Sequence, residues 1–179
     1  LVIVSSVIIA AVSKDGTKKE PQITDTEKNE TKIEDEKLIS YTIPDDVSDV
    51  VLENDAKSII IVDKEAKKAV AARNPHTREY PASTTKIMTL LLTMEALEGG
   101  AFSLDTLVTC SEHAASMGGA QIWLEAGEKM RVDDLVKAVC IKSANDAAVL
   151  LAELVGGSEE GFVVMMNERA AELGMTATH

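Results

Sequence analysis

The chain has 179 residues, of which 45% are apolar and 27% charged, a composition typical of a globular protein with about one domain. Its net charge of −12 and its aromatic content of 3% argue against nucleic-acid binding. The chain has neither a basic stripe to neutralise phosphates nor a platform for base stacking. Its two cysteines and three histidines lack the spacing of zinc ligands, so we expect no metal site.

The N-terminal segment, residues 1–13, carries no charge and consists mostly of Val, Ile and Ala. As a helix, its apolar run would be about 18 Å long, well short of the ~30 Å hydrocarbon core of a bilayer. This length is typical of the apolar region of a secretory signal, with the initiator methionine and basic segment missing before Leu1. The alternative is a truncated membrane anchor. Both interpretations predict an exported protein, in the periplasm or at the outer face of the cytoplasmic membrane or cell wall.

A charged segment follows, in which Lys alternates with Asp and Glu and almost nothing is apolar. Such a segment buries too little apolar surface to fold. We therefore predict a disordered linker over residues 14–45 and a folded domain over residues 46–179.

The two cysteines do not amount to a disulfide framework, although one bridge between Cys110 and Cys140 is an open alternative. Cys140 lies in an apolar helical run, where a buried thiol acts as a small hydrophobic group. We therefore expect an unpaired, buried Cys140.

The folded part has the pattern of a mixed α+β domain with a helical middle. β-branched and small apolar runs separated by charged residues predict a hairpin, and apolar periodicity between capping residues and glycines predicts helices. Asp133 is the expected cap of the second helix, and Ser158 that of the last helix, which Gly174 closes. The expected strands span residues 58–62, 69–72, 107–109 and 121–124, and the expected helices span residues 83–97, 133–141, 146–155 and 158–174.

Ser83 and Lys86 are the strongest candidates for catalytic residues. A spacing of three places both on one face of a helix, at its N-terminal end, where unpaired N–H groups and the helix dipole favour developing negative charge. We expect that face, continued by Ile87, Leu90 and Met94, to be buried. The simpler alternative is a helix N-terminus with an exposed lysine, because Ser-x-x-Lys occurs by chance about once in a chain of this size.

A lysine can act as a general base only if its pKa is strongly lowered. With an ordinary pKa near 10.4, about one amine in 2,500 is neutral at pH 7, so a fall of roughly three units is needed. Burial against apolar side chains is one way to achieve this.

Ser143 and Asn145 lie in the break between two predicted helices, sixty residues after the first pair. A hydroxyl and a carboxamide on one short loop can relay a proton and hold a substrate amide. The alternative is that they only cap helices, since Ser and Asn are favoured there.

Together these segments resemble the penicillin-recognising serine hydrolases, and most closely the serine D-alanyl-D-alanine carboxypeptidases. The residues that carry the resemblance extend over about 58–179. They are Pro-Ala-Ser-Thr-Thr-Lys-Ile-Met-Thr at 81–89, Ala-Ser-Met-Gly-Gly at 115–119, Leu-Glu-Ala-Gly-Glu at 124–128, and Ser-Ala-Asn-Asp-Ala-Ala at 143–148, where Ala144 replaces the commoner glycine.

The resemblance implies a β-lactamase/transpeptidase-like fold, in which an antiparallel sheet with flanking helices carries a helical subdomain. It implies that Ser83 is the acylated nucleophile and its N–H half of the oxyanion hole, Lys86 the base, Ser143 a proton relay and Asn145 a substrate ligand. The implied substrate is a peptidoglycan stem peptide ending in D-Ala-D-Ala, with β-lactams as inhibitors and no cofactor. A membrane surface is a further candidate partner.

The third element of the family, Lys-Thr-Gly on a strand beside the active site, does not occur in these 179 residues. We therefore expect truncation at the C-terminus and an inactive fragment of an enzyme. The alternatives are a serine β-lactamase, which needs a further carboxylate for deacylation, and a non-catalytic penicillin-binding sensor or wall-binding module.

Overall fold

The computed structural model describes residues 55–63, 66 and 68–179, which divide into a unit ending at Tyr80 and a unit from Pro81 to His179. The expectations for residues 1–13 and 14–45 lie outside the described residues. No helix within the described ranges is long and apolar enough to cross a bilayer.

The first unit contains the predicted hairpin. β1 (Ile59–Asp63) pairs with β2 (Lys68–Arg73) in antiparallel register, with an irregularity between Ile61 and Val62. The β-branched residues of β1 and the small alanines of β2 suit a pleated surface that is partly buried. The prediction of a hairpin here is confirmed.

The second unit is mainly helical. A 3₁₀ turn precedes the first helix, and a second two-stranded sheet lies beside the other helices. Its elements are the 3₁₀ turn (Ala82–Thr85), α1 (Lys86–Glu98), β3 (Leu107–Thr109), α2 (Glu112–Ala115), β4 (Lys129–Arg131), α3 (Val132–Lys142), α4 (Asn145–Gly156) and α5 (Glu159–Glu172). Helices together with antiparallel strands confirm the α+β class.

α4 is the central helix of this unit and packs against α1, α2, α3 and α5. Seven consecutive residues, Asp146–Ala152, are buried, as expected for a helix that is apolar on nearly all sides. Because α4 is held by four neighbours, the residues at its N-terminus occupy a well-defined position. This is the end that carries Asn145.

Some helix boundaries agree with the sequence pattern and others do not. The Ser158 side chain accepts a hydrogen bond from the Gly161 N–H and caps α5 as predicted. Asp133 is not the cap of α3 but lies in its first turn, where the helix dipole stabilises a carboxylate. Its Oδ2 lies 2.6 Å from Lys137 Nζ.

Three further expectations were wrong. Residues 121–124 form no strand, and β3 pairs with β4. On α1, Leu90 packs against the core as predicted, but Ile87 is 56% exposed and Met94 39%, so the predicted face is buried only in part. The fully buried residues of α1 are Thr89, Leu92 and Thr93. Both cysteines are free, as expected, but Cys140 is exposed and Cys110 buried. A short apolar run on a helix did not specify which side faces the core, because neighbouring apolar residues lie on both sides.

Candidate active site

Ser83 lies in the 3₁₀ turn immediately before α1, with its side chain exposed. The turn is closed by Thr84, whose N–H and hydroxyl both donate to the Pro81 carbonyl, at 3.0 and 2.5 Å. The residue before the serine, Ala82, has a φ of 47°. A left-handed conformation costs an L-residue about 1–2 kcal/mol, and such strain is concentrated at functional sites. The predicted helix therefore starts as a tight turn that presents Ser83 to solvent.

Lys86 is the first residue of α1 and its amine joins two of the predicted site residues. Nζ lies 3.4 Å from Ser83 Oγ and 2.7 Å from Asn145 Oδ1. The side chain is half-buried, and this desolvation lowers the pKa of Lys86 from its ordinary value of 10.5. The Lys86 amine therefore lies beside the serine, and its partial burial shifts its pKa in the direction that a lysine base requires.

The Asn145 side chain has one orientation that satisfies all its contacts. Its Oδ1 accepts from Lys86, while its Nδ2 donates to the Gly118 carbonyl at 2.6 Å. A flipped amide would place its NH₂ group against the ammonium and its oxygen against a carbonyl, so both contacts would become repulsive. The backbone N–H of Asn145 donates to the Ala120 carbonyl at 2.7 Å. The segment from Gly118 to Ala120 therefore fixes the amide that faces Lys86.

Gly119 lies in the middle of this segment and has two reasons to be glycine. Its φ is +82°, and a Cβ at this position would lie 2.9 Å from Asn145 Nδ2. A side chain would strain the turn and push against the amide. The sequence alone singled out the Ser-Met-Gly-Gly stretch only by its resemblance; a double glycine also signals close backbone approach.

Ser143 ends α3 in a left-handed conformation, with φ 56° and ψ 36°. Its Oγ is buried and has no hydrogen-bond partner among the described residues. The structure therefore brings Ser83, Lys86 and Asn145 into one network and leaves the Ser143 hydroxyl, two residues from Asn145, outside it. An unpaired buried hydroxyl is uncommon and is a position at which a ligand can complete the hydrogen bonding.

Ala144, which replaces the commoner glycine, adopts φ −63° and ψ 123° and is completely buried. This conformation is ordinary for any L-residue. Its methyl group is therefore accommodated without backbone strain.

A cavity of about 430 Å³ adjoins the network, between α1, α4 and α5. Lys86 and Asn145 line it, together with apolar side chains such as Val149, Phe162 and Met166. Its walls are mostly apolar, and Lys86 and Asn145 are among its polar groups. No group of His, Cys, Asp and Glu side chains within the described ranges is arranged to hold a metal ion.

A sequence profile of the D-alanyl-D-alanine carboxypeptidase family matches residues 45–179. The chain belongs to this family. It is 49% identical over 127 residues to the D-alanyl-D-alanine carboxypeptidase DacF of Bacillus subtilis, an alignment that covers 71% of the chain and 33% of the relative. The chain thus spans about a third of the length of the curated relatives that it matches.

Solved structures of carboxypeptidases and penicillin-binding proteins share the fold. The D-alanyl-D-alanine carboxypeptidase DacD of Francisella tularensis matches with a TM-score of 0.70 and 37% identity, over 74% of this chain and 32% of that one. Penicillin-binding protein 6B of Escherichia coli matches with a TM-score of 0.59 and 31% identity, over 63% and 38%. The predicted family and fold are therefore confirmed: the chain belongs to the low-molecular-weight penicillin-binding proteins of the carboxypeptidase family.

Proposed function

We propose that the whole protein is a serine-type D-alanyl-D-alanine carboxypeptidase that removes the terminal D-alanine from peptidoglycan stem peptides through an acyl-enzyme on Ser83. The observation that supports this most directly is the position of the Lys86 amine, within hydrogen-bond reach of Asn145 Oδ1 and 3.4 Å from Ser83 Oγ. A hydroxyl beside a partly desolvated amine is the arrangement that activates a serine in the absence of histidine.

In the acylation step, Ser83 Oγ attacks the carbonyl carbon of the penultimate D-alanine. The hydroxyl proton passes to the neutral amine of Lys86. Because burial lowers the pKa of Lys86, this neutral form is more populated than in an exposed lysine. Negative charge develops on the former carbonyl oxygen, near the first N–H groups of the turn and α1. The tetrahedral intermediate then collapses and breaks the peptide bond.

The leaving D-alanine nitrogen needs a proton, and we assign its delivery to the Ser143 hydroxyl, which takes in exchange the proton that Lys86 accepted from Ser83, so that the Lys86 amine is neutral again. This hydroxyl has no hydrogen-bond partner among the described residues, so its capacity to donate is unused in this structure. Asn145, whose orientation is fixed by Gly118, is assigned to a substrate amide. Water then hydrolyses the ester on Ser83, and the serine regains its proton.

The chemistry indicates the partners and location of the protein. A peptidoglycan stem peptide is the substrate, and β-lactams, whose reactive amide occupies the same position, are expected inhibitors. The relatives include a D-alanyl-D-alanine carboxypeptidase and a penicillin-binding protein by name, which supports both partners. Such a substrate is met outside the cytoplasm, so we infer an extracytoplasmic protein.

The experiment that tests this function is labelling of the whole natural protein with fluorescent penicillin, followed by mass spectrometry of the modified peptide. We expect one adduct, on Ser83, and none in Ser83→Ala; Ser103→Ala, a change in an exposed serine, serves as the matched control. Release of D-alanine from a synthetic pentapeptide then identifies the carboxypeptidase. Rapid hydrolysis of penicillin without D-alanine release would indicate a β-lactamase. A folded protein that forms no penicillin adduct and does not hydrolyse penicillin would contradict the acyl-enzyme.

A further inference from the structure

Asp146 follows Asn145 in the first turn of α4 and its carboxylate is almost completely buried, at 1% exposure. Its Oδ2 accepts from the Ile122 N–H and from the Leu124 N–H, both at 3.1 Å, and its Oδ1 accepts from the Ala147 N–H at 2.9 Å. Burying a carboxylate is costly unless hydrogen bonds compensate for the lost water. The buried carboxylate of Asp146 therefore needs the N–H donors at residues 122–124, and those N–H groups in turn have Asp146 as their acceptor.

The backbone of this segment is strained at the residue between the two donors. Trp123 has a φ of 63° and a side chain that is 78% exposed, so packing of the indole does not explain its conformation. The left-handed conformation turns alternate N–H groups toward one point, which is how backbone forms an anion-binding concavity. A bulky residue rarely adopts it without a compensating contact. Here the compensating contact is the Asp146 carboxylate.

The same loop carries, a few residues earlier, the groups that orient Asn145. Gly118 accepts from the Asn145 side-chain amide and Ala120 accepts from its backbone N–H. The start of this loop, at Gly118 and Ala120, thus holds Asn145. The end of the loop, at residues 122–124, is held by Asp146, the residue that follows Asn145. Movement of residues 122–124 away from α4 would release the carbonyls that keep Oδ1 of Asn145 turned toward Lys86.

We propose that Asp146 is a positioning residue for the reaction: by binding the loop at residues 122–124 it fixes the orientation of the Asn145 amide and, through it, the amine of Lys86 beside Ser83. This inference rests on the proposed function for its kinetic consequence. Its structural part, the coupling between Asp146 and the Asn145 amide, is independent of that function.

The test uses Asp146→Asn, which keeps the size of the side chain but replaces one acceptor oxygen by an NH₂ group. That group would face backbone N–H donors, so the loop would lose part of its attachment. Glu153→Gln is the matched control, because it makes the same change on the same helix at a side chain that accepts from Ser111 Oγ instead. The rate of acylation by penicillin is measured in the whole natural protein for both variants.

We expect acylation to fall at least tenfold in Asp146→Asn and to stay within twofold of the unchanged protein in Glu153→Gln. A merely structural role would also slow acylation, so the substitution is repeated in an Asn145→Ala background. If Asp146 acts through the Asn145 amide, it has no further effect there. An equal loss in both backgrounds, or no loss in either, would overturn the proposal.

A second variant keeps the test decisive if Asp146→Asn unfolds by circular dichroism at the assay temperature. The same comparison is then made with Trp123→Gly present. Glycine adopts a positive φ without strain, so the loop conformation depends less on the hydrogen bonds to residue 146. The same dependence on Asn145 is expected.

A nuclear magnetic resonance measurement decides the structural part even if the unchanged protein is not labelled, a result that would contradict the proposed function alone. The side-chain amide of Asn145 is bonded to Gly118, so one of its protons should exchange slowly with solvent. We expect exchange at least tenfold faster in Asp146→Asn and unchanged exchange in Glu153→Gln. Equal exchange in all three proteins would overturn the coupling.

Discussion

The amine of Lys86 and the carboxamide of Asn145, fifty-nine residues apart in the chain, form a 2.7 Å hydrogen bond that joins the start of α1 to the start of α4. Because both residues begin helices, the contact places two helix N-termini side by side. The partial positive charge of these ends favours a site where negative charge develops. The contact therefore combines an amine, an amide and a favourable field at one position.

The first prediction concerns the identity of the base. Lys86→Arg keeps the charge but introduces a group that does not lose its proton in proteins, so it should not accept a proton from Ser83. We expect acylation by penicillin to slow by roughly 10²–10⁴-fold, the usual contribution of general acid–base catalysis. Lys137→Arg, at an exposed lysine that pairs with Asp133, is the control and should leave the rate unchanged. An active Lys86→Arg protein would exclude the lysine as base.

The second prediction is the pH dependence that follows from the lowered pKa of Lys86. Acylation should increase with pH as the amine loses its proton, and this increase should lie below the ordinary pKa of 10.5. It is measured as the rate of penicillin labelling across pH. A pH profile that does not rise below 10.5 would contradict a lysine that burial has made easier to deprotonate.

The same shift predicts how stability depends on pH, which gives an independent measurement. Between the pKa of Lys86 in the folded protein and 10.5, the unfolded chain binds a proton that the folded chain does not. The free energy of unfolding should therefore increase with pH in this window because of Lys86. Comparison of denaturant unfolding with that of Lys86→Met isolates this contribution, since the methionine variant lacks it.

The third prediction separates backbone strain from contact with the site. Gly119→Ala and Gly127→Ala both place alanine at a positive φ, +82° and +84°, so each should lose about 1–2 kcal/mol of stability. At Gly119 the new Cβ would lie 2.9 Å from Asn145 Nδ2, whereas at Gly127 it would meet no atom of the described residues within 4 Å. We expect acylation to fall at least tenfold in Gly119→Ala alone. Equal rates in the two variants would show that the Asn145 amide tolerates displacement.

Much of the fold was predictable from local patterns. The hairpin, the buried α4 and the Ser158 cap each follow from residues close together in the chain, namely β-branched runs, a continuous apolar helix and a capping hydroxyl. The exposed side of α1 was not predictable in the same way. Ile87 and Leu92 are both apolar, and which one faces the core depends on where α4 and α5 lie.

The candidate site was predictable only in part for a similar reason. A spacing of three residues brings Ser83, in the 3₁₀ turn, near Lys86 at the start of α1, but the contact from Lys86 to Asn145 joins two helices. The roles of Gly119 and Asp146 depend on a loop that folds back on α4, and no short-range pattern encodes this. Trp123 is the clearest case, because its sequence neighbours give no sign of a left-handed backbone.

The last prediction concerns Ser143, where stability and activity should change in opposite directions. Its buried hydroxyl has no partner among the described residues, and leaving such a group unpaired costs about 1–3 kcal/mol. Ser143→Ala removes that group, so the protein should be at least as stable as before. Ser143→Gly also relieves the left-handed φ of 56°, at a helix end where glycine is preferred, and should be more stable by about 1 kcal/mol.

Both variants should nevertheless lose activity, because neither can pass a proton to the leaving nitrogen. We expect acylation to slow by roughly 10²-fold or more in each, measured beside thermal unfolding of the same samples. A gain in stability together with a loss of activity is typical of a residue kept for function. If instead Ser143→Ala labels at the normal rate, the hydroxyl takes no part in the reaction and the proton must reach D-alanine from Lys86.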